Sequence, residues 1–290
     1  MYGHMQFADY LVSYALQTLN RCLLKVAEDK PLKGKDERVF LDQISHLQSI
    51  WQMLQWSTGK VVYKQSADRL REITSLIRTP SPELQAAAAL LEISHDKLQS
   101  TLLEIASAAK LPDPGAWSAR RDRLSALLQE ESSCWRDYMP LRQVPDAELV
   151  EHGMGRAYLK ARRLSQRLDA VGGADQTVPG PKRLARTQRW IGHSANHLDL
   201  IRSALDEPAR VQRWHLRRLH TKVEQQLGLE LFVRRAVKTP MKPKQRLRFE
   251  ALVARQRRHL DKQRRKLTAG AFVLRSSDYI EQSGRCVGQL

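Results

Sequence analysis

Residues 242–275, KPKQRLRFEALVARQRRHLDKQRRKLTAGAFVLR, decide how the rest of the chain is read. Val253, Leu260, Leu267 and Leu274 recur every seven residues, with Phe249 ahead of them. At about 100° per residue such a repeat stays on one side of an α-helix, which a two-residue strand period cannot do. The stretch therefore predicts one long helix that lays a narrow apolar seam on a neighbour.

Working outward, three-to-four spacing of apolar residues recurs almost throughout, and Pro or Gly punctuation falls every 20 to 35 residues. The pattern predicts an all-α fold, with helices near 5–28, 36–57, 60–78, 81–109, 116–138, 146–170, 182–206, 208–236 and 242–275. The breaks have chemical causes, since Lys30-Pro31, the prolines at 80 and 82, Pro112-Asp113-Pro114-Gly115, the stretch 172–181 and Pro240 to Pro243 combine missing amide donors with turn-forming residues. The modest share of aromatics, 6%, and 14 glycines in 290 residues argue against a many-turned β-sandwich or a dinucleotide-binding sheet. Ile44-Ser45-His46-Leu47-Gln48-Ser49-Ile50 and Ala195-Asn196-His197-Leu198-Asp199-Leu200-Ile201 share a small/polar-His-Leu-x-x-Ile pattern. That match suggests a duplicated helical bundle, with one half over residues 1–142 and the other over 143–290.

The formal charge of +18 is unevenly divided. Residues 1–145 hold 18 Lys+Arg and 17 Asp+Glu, net +1, whereas 146–290 hold 31 and 14, net +17. Within Arg234–Lys266 there are 14 basic residues and only Glu250 and Asp261 as acids, the strongest local signal for a polyanion partner. Arg248, Arg255, Arg258, Lys262, Arg265 and Lys266 fall roughly 120–220° from Val253 and read as a solvated face. Arg246, Arg257 and Arg264 fall within about 40° of the seam. Guanidinium groups so placed either pair with acids from other helices or border a wet, positive cavity built for an anion.

The remaining features narrow the classes. Ala86–Leu91 is the longest apolar run, far short of the roughly 20 residues a membrane helix needs. Residues 1–20 carry no basic stretch ahead of an apolar one, and Asp9 interrupts them, so no secretory signal and a cytoplasmic location are expected. Cys22, Cys134 and Cys286 lack metal or disulfide spacing and read as reduced thiols. His193 and His197 have the i, i+4 spacing that can clamp zinc, with His215 and His220 nearby, but no acidic third ligand sits at a suitable spacing, so no metal and no cofactor are expected. Trp51, Trp56, Trp190 and Trp214 lie on predicted helices and read as core. No GxxxxGK[ST], HExxH or GxSxG motif is present, and no enzyme activity is expected.

The stretch Gly153-Met154-Gly155-Arg156-Ala157-Tyr158-Leu159-Lys160-Ala161-Arg162-Arg163-Leu164 resembles the glycine-, tyrosine- and arginine-rich helix that opens the second half of CHAD domains (conserved histidine α-helical domains). Tyr63-Lys64 through Arg69-Leu70-Arg71-Glu72 resembles its first-half counterpart. The resemblance implies two four-helix bundles related by a pseudo-twofold axis and a basic central cavity that binds inorganic polyphosphate without catalysis. It carries Arg156, Lys160, Arg162 and Arg163 over to the second-half motif and Lys64, Arg69 and Arg71 to the first. The chain departs from the family where signature histidines are expected, placing Arg38 and Arg189 there, and where a Lys/Arg pair is expected, placing Ser45-His46 and Asn196-His197.

The candidate polyanion-binding set is therefore Arg156, Lys160, Arg162, Arg163, Arg189, His193, His197, Arg217, Lys222, Arg246, Arg257, Arg264, Lys64, Arg69, Arg71 and Arg38. Arginine forks and lysines suit phosphate oxygens, and binding a phosphate chain needs neither a nucleophile nor a general base. A nucleic-acid-binding protein using the same basic helix and a scaffold with a decayed anion site are the competing readings. No membrane partner is expected, and the sequence leaves the oligomeric state open.

Overall fold

The computed structural model describes residues 6–28, 30–77, 82–94, 96–107, 117–137, 144–171 and 178–290, and every regular element among them is helical. Five helices follow the predicted segments to within a few residues: α1 (Phe7–Ala27), α2 (Lys35–Leu54), α3 (Lys60–Ile77), α6 (Trp117–Asp137) and α10 (Glu207–Ala236). None of the helices among the described residues is long and apolar enough to cross a membrane.

The departures have local causes. The helix predicted over 81–109 is two, α4 (Pro82–Ile93) and α5 (Asp96–Ser107). Ser94 closes α4 by returning both its amide, at 3.3 Å, and its hydroxyl, at 3.1 Å, to the Leu91 carbonyl. The segment expected over 146–170 starts as a short α7 (Asp146–Glu148), widens into a π-helical stretch (Leu149–Gly155) and continues as α8 (Arg156–Val171). Gly153 and Gly155 sit in the wide turn because α2 and a later helix press on them: a Cβ at Gly153 would overlap Met53, and one at Gly155 would overlap Ile280. The segment 182–206 ends as a helix at Leu200, in α9 (Pro181–Leu200), and passes through a 3-10 turn at Arg202–Ala204. The basic helix predicted over 242–275 stops at Ala271, as α11 (Pro243–Ala271), and a helix not anticipated from sequence, α12 (Ser276–Val287), follows it.

Two apolar cores result. The larger joins α1, α2, α3, α6, α8, α9, the front of α10 and α12, through residues such as Leu11, Leu47, Trp51, Leu70, Leu128, Tyr158, Ile191, Leu216 and Tyr279. The smaller joins α4 and α5 to the back of α10 and the front of α11, through Ala87, Leu90, Leu98, Leu102, Ile105, Leu229, Phe232, Phe249, Val253 and Leu260. A fully buried Leu or Phe contributes about 2 kcal/mol, so α4 and α5 are held mainly by the C-terminal helices. The smaller core thus mixes residues from both sides of the division expected at 142/143, and those two positions lie outside the described residues. The breaks expected at residues 79–81 and 111–115, and residues 172–177 of the predicted loop, also lie outside them.

The two segments that match in sequence meet. α2 crosses α9 so that the Asn196 amide donates to the Ser45 carbonyl at 3.0 Å, to Ser45 Oγ at 2.9 Å and to Ser49 Oγ at 2.8 Å. The small residues Ser45, Ser49, Ser194 and Ala195 let these helices approach closely, and the Ser45 and Ser49 hydroxyls accept from the buried Asn196 amide.

Candidate functional site

Of the three arginines placed near the seam, two point inward and neither borders a cavity. Arg264 is 1% exposed and is clamped between Asp169 of α8 and Asp261 of its own helix. Arg257 forms a two-pronged pair with Glu230 of α10, at 2.7 and 2.6 Å. Arg246 lies exposed on the first turns of α11. The cavity expected at these residues is thus replaced by ion pairs that knit α11 to α8 and α10. Guanidinium groups already held by carboxylates have little left to offer an added anion.

Several other candidates are also structural. Arg69 reaches buried Glu131 at 2.9 Å, and Glu131 also accepts from the indoles of Trp51 at 2.5 Å and Trp135 at 3.1 Å. Burial raises the Glu131 carboxyl above its ordinary pKa, against the lowering effects of those donors and of Arg69. Arg71 pairs with Asp68. Tyr158 Oη and Arg162 both donate to the Leu274 carbonyl, at 2.8 and 3.0 Å, while the Tyr158 ring stacks on Tyr279 with centroids 4.0 Å apart. The tyrosine and one arginine of the motif therefore anchor the link between α11 and α12.

A polar network fills the junction of α2, α9 and α10. Arg213 and Arg217 both bind Asp199, whose third partner is His46 at 3.5 Å, and Arg217 also lies 3.5 Å from Asp42. His46 Nδ1 is 3.3 Å from the Tyr14 hydroxyl. His193 Nδ1 lies 2.9 Å from Ser49 Oγ, and His197 Nε2 lies 3.0 Å from the Ser49 carbonyl. Burial pushes the imidazole pKa down to about 4 in His46, about 3 in His193 and about 4 in His197, and nearby arginines add to the effect in the first two. His193 and His197 are consequently neutral near pH 7, and His197 is fully buried, so neither supplies the positive charge expected of it. Among the described residues no group of three or more His, Cys, Asp or Glu is placed to hold a metal ion. Cys22 and Cys286 are buried, and burial pushes the Cys22 thiol up to about 12.

What remains is a cationic face. α8 packs on α9, tied by Arg183 donating to the Arg167 carbonyl at 2.9 Å. On α8, Arg156, Lys160 and Arg163 follow i, i+4, i+7 spacing, and on α9, Lys182, Arg186 and Arg189 do the same. Lys160 Nζ stands 4.3 Å above the Trp190 ring. Its pKa is lowered by burial and then by the charges of Arg156 and Arg186, one from each of the two helices. Burial raises the Tyr63 hydroxyl pKa against the charges of Arg189 and Arg71, and Lys64 beside it at the start of α3 is exposed. None of Arg156, Lys160, Arg163, Lys182, Arg186 or Arg189 forms an ion pair with a described carboxylate. Like charges held together without counter-charge are a ready anion surface.

The structure thus brings together Arg156, Lys160, Arg163 and Arg189 from the expected set. Arg38, exposed at the start of α2, Lys222, which donates to Gln225 at 3.0 Å beside the smaller core, and Arg217 belong to other surroundings. Arg186 was missed, although its position four after Lys182 and three before Arg189 marks it as part of one helical stripe. Trp51 is buried and Trp56 and Trp190 are partly so, as expected, whereas Trp214 stands 48% exposed on α10. Comparison with protein-family models, curated proteins and solved structures finds no match.

Proposed function

We propose that the protein is a non-catalytic binder of inorganic polyphosphate or a similar polyanion, and that the anion lies along the face made by α8, α9 and the start of α3. The observation that carries this reading is the grouping, on the packed helices α8 and α9, of exposed Arg156 and Arg186 with Lys160, whose Nζ stands 4.3 Å above the Trp190 ring of α9, none of the three in an ion pair with a described carboxylate. A phosphate chain with about one charge per unit matches cations repeating every helical turn, and it displaces the counterions they hold. The resemblance of 153–164 to CHAD domains supports the same ligand class, and the contact between matched residues Ser45 and Asn196 supports a duplicated, pseudo-twofold design. The departure from that resemblance is one of place: the anion is held on an open face, mainly of the basic half, and the inward arginines of α11 stay with their carboxylates.

The test is titration of long-chain polyphosphate against the protein and the double variant Arg156→Glu/Arg186→Glu. Affinity should fall by more than about tenfold, since each reversal removes a charge-assisted contact and adds a repulsion. Both side chains are exposed, so the fold should be unaffected. Unchanged affinity, or displacement of polyphosphate by duplex DNA at equal phosphate concentration, would remove the basis for the reading.

A further inference from the structure

The front of α10 carries a second basic surface, on a different helix pair. Between the 3-10 turn and α10 an open hollow of about 640 Å³ is lined by Arg202, Ser203, Arg210 and Arg213. Arg213 is already bound to Asp199, and Arg210 reaches exposed Glu207 only at 3.9 Å. Arg202 forms no ion pair with a described carboxylate, and its side chain lies at the surface. Beside this hollow, one turn along the helix, Trp214 is 48% exposed, with Val211 at 46% next to it. The Arg218 guanidinium lies over the Trp214 ring, 4.6 Å from its centroid, and His215 meets the same ring edge-on at 4.8 Å.

A large aromatic on a solvated helix face loses the burial that ordinarily retains tryptophan. Here it is bracketed at i−4 and i+4 by Arg210 and Arg218, which share its side of the helix. A flat π-surface extended by a stacked guanidinium, with an arginine-lined hollow about 6 Å away along the helix axis, presents a base platform beside a phosphate seat. Polyphosphate has no ring to lay on the platform, whereas a nucleotide supplies both a ring for the indole and a phosphate for the arginines.

We propose that the front of α10 binds single-stranded nucleic acid, with an unpaired base stacked against Trp214 and Arg218 and the adjoining phosphate held by Arg202 and Arg210 in the hollow. Stacking on an aromatic is indifferent to base identity, so the site takes single strands with little sequence preference. Paired bases in a duplex are not available to the ring, and duplex binding at this site is correspondingly weak.

The experiment measures fluorescence anisotropy of a labelled single-stranded oligonucleotide, its duplex and long-chain polyphosphate, each against the full chain, Trp214→Ala, Trp214→Phe and Arg202→Glu/Arg210→Glu. Trp214→Ala should weaken the single strand about tenfold, Trp214→Phe should restore most of that loss, and polyphosphate affinity should move with neither. The arginine pair should weaken the single strand further and reduce its salt dependence. A single strand bound equally by the wild type and Trp214→Ala, or a duplex bound as tightly as the single strand, would overturn the proposal. Loss of polyphosphate binding in Arg156→Glu/Arg186→Glu with single-strand binding retained separates this site from the one on α8 and α9.

Discussion

Asn196 Nδ2 lies 2.9 Å from Ser45 Oγ, a contact between corresponding positions of two segments about 150 residues apart that share a pattern. The same amide nitrogen serves Ser49 Oγ and the Ser45 carbonyl, so one side chain ties α2 to α9 at three points. Asn196→Ala removes three buried contacts across the crossing, while Ser49 Oγ keeps the Ser45 carbonyl and His193 as partners, so the fold should lose about 1 kcal/mol. Urea unfolding compares the two proteins, and an unchanged midpoint would mean the crossing is held by packing alone.

The buried imidazoles make stability depend on pH in a defined direction. An unfolded histidine protonates near pH 6.5, whereas His46 and His197 in the fold do so near 4 and His193 near 3. The stabilisation is complete above the unfolded value and is lost as pH falls through the window between the two, at roughly 1.4 kcal/mol per unit for each fully depressed group. Unfolding free energy should therefore drop markedly between pH 7 and pH 5, before most carboxylates titrate. A flat profile over that range would show that these rings are solvated in the fold.

Arg264 tests the inward ion pairs. Arg264→Ala leaves a cavity and strips Asp169 and Asp261 of their shared partner, with an expected loss of about 3–5 kcal/mol. Arg264→Met refills the volume, and because both carboxylates retain some solvent access it should recover part of that loss. Polyphosphate affinity of the methionine variant should equal that of the wild type. A weakened affinity would bring this arginine back into the binding surface.

Gly228 sets the spacing between α10 and α4. Ala in mid-helix gains about 1 kcal/mol over Gly from propensity alone. Here a Cβ would overlap the backbone carbonyl of Pro82, which cannot swing aside as a flexible side chain can. Steric overlap should win, and Gly228→Ala should lower the melting temperature where the usual glycine-to-alanine change in a helix would raise it.

The helical period was legible almost everywhere because it depends on local apolar spacing. The end of α11 was not, since Phe272-Val273-Leu274-Arg275 contains no proline or glycine to mark a break. Its cause is tertiary: Tyr158 and Arg162, more than 110 residues away, capture the Leu274 carbonyl. Helical arithmetic placed Arg257 and Arg264 on the inward side correctly, yet their partners Glu230 and Asp169 lie on other helices, where no spacing rule reveals them. Exposure of Trp214 was equally hidden, because α10 buries its Gln212, Leu216 and Leu219 side and turns that ring outward.

The smaller core also dictates an order of events during folding. Ala87, Leu90, Leu98 and Leu102 emerge early in synthesis, but the surfaces that cover them, Leu229, Phe232, Phe249 and Val253, emerge more than 120 residues later. Until then α4 and α5 have only each other to cover their apolar stripe, which makes the nascent chain sticky and its completion slow. A fragment cut after residue 142 would carry that stripe without the C-terminal side chains that cover it, and should fold less completely than the full chain.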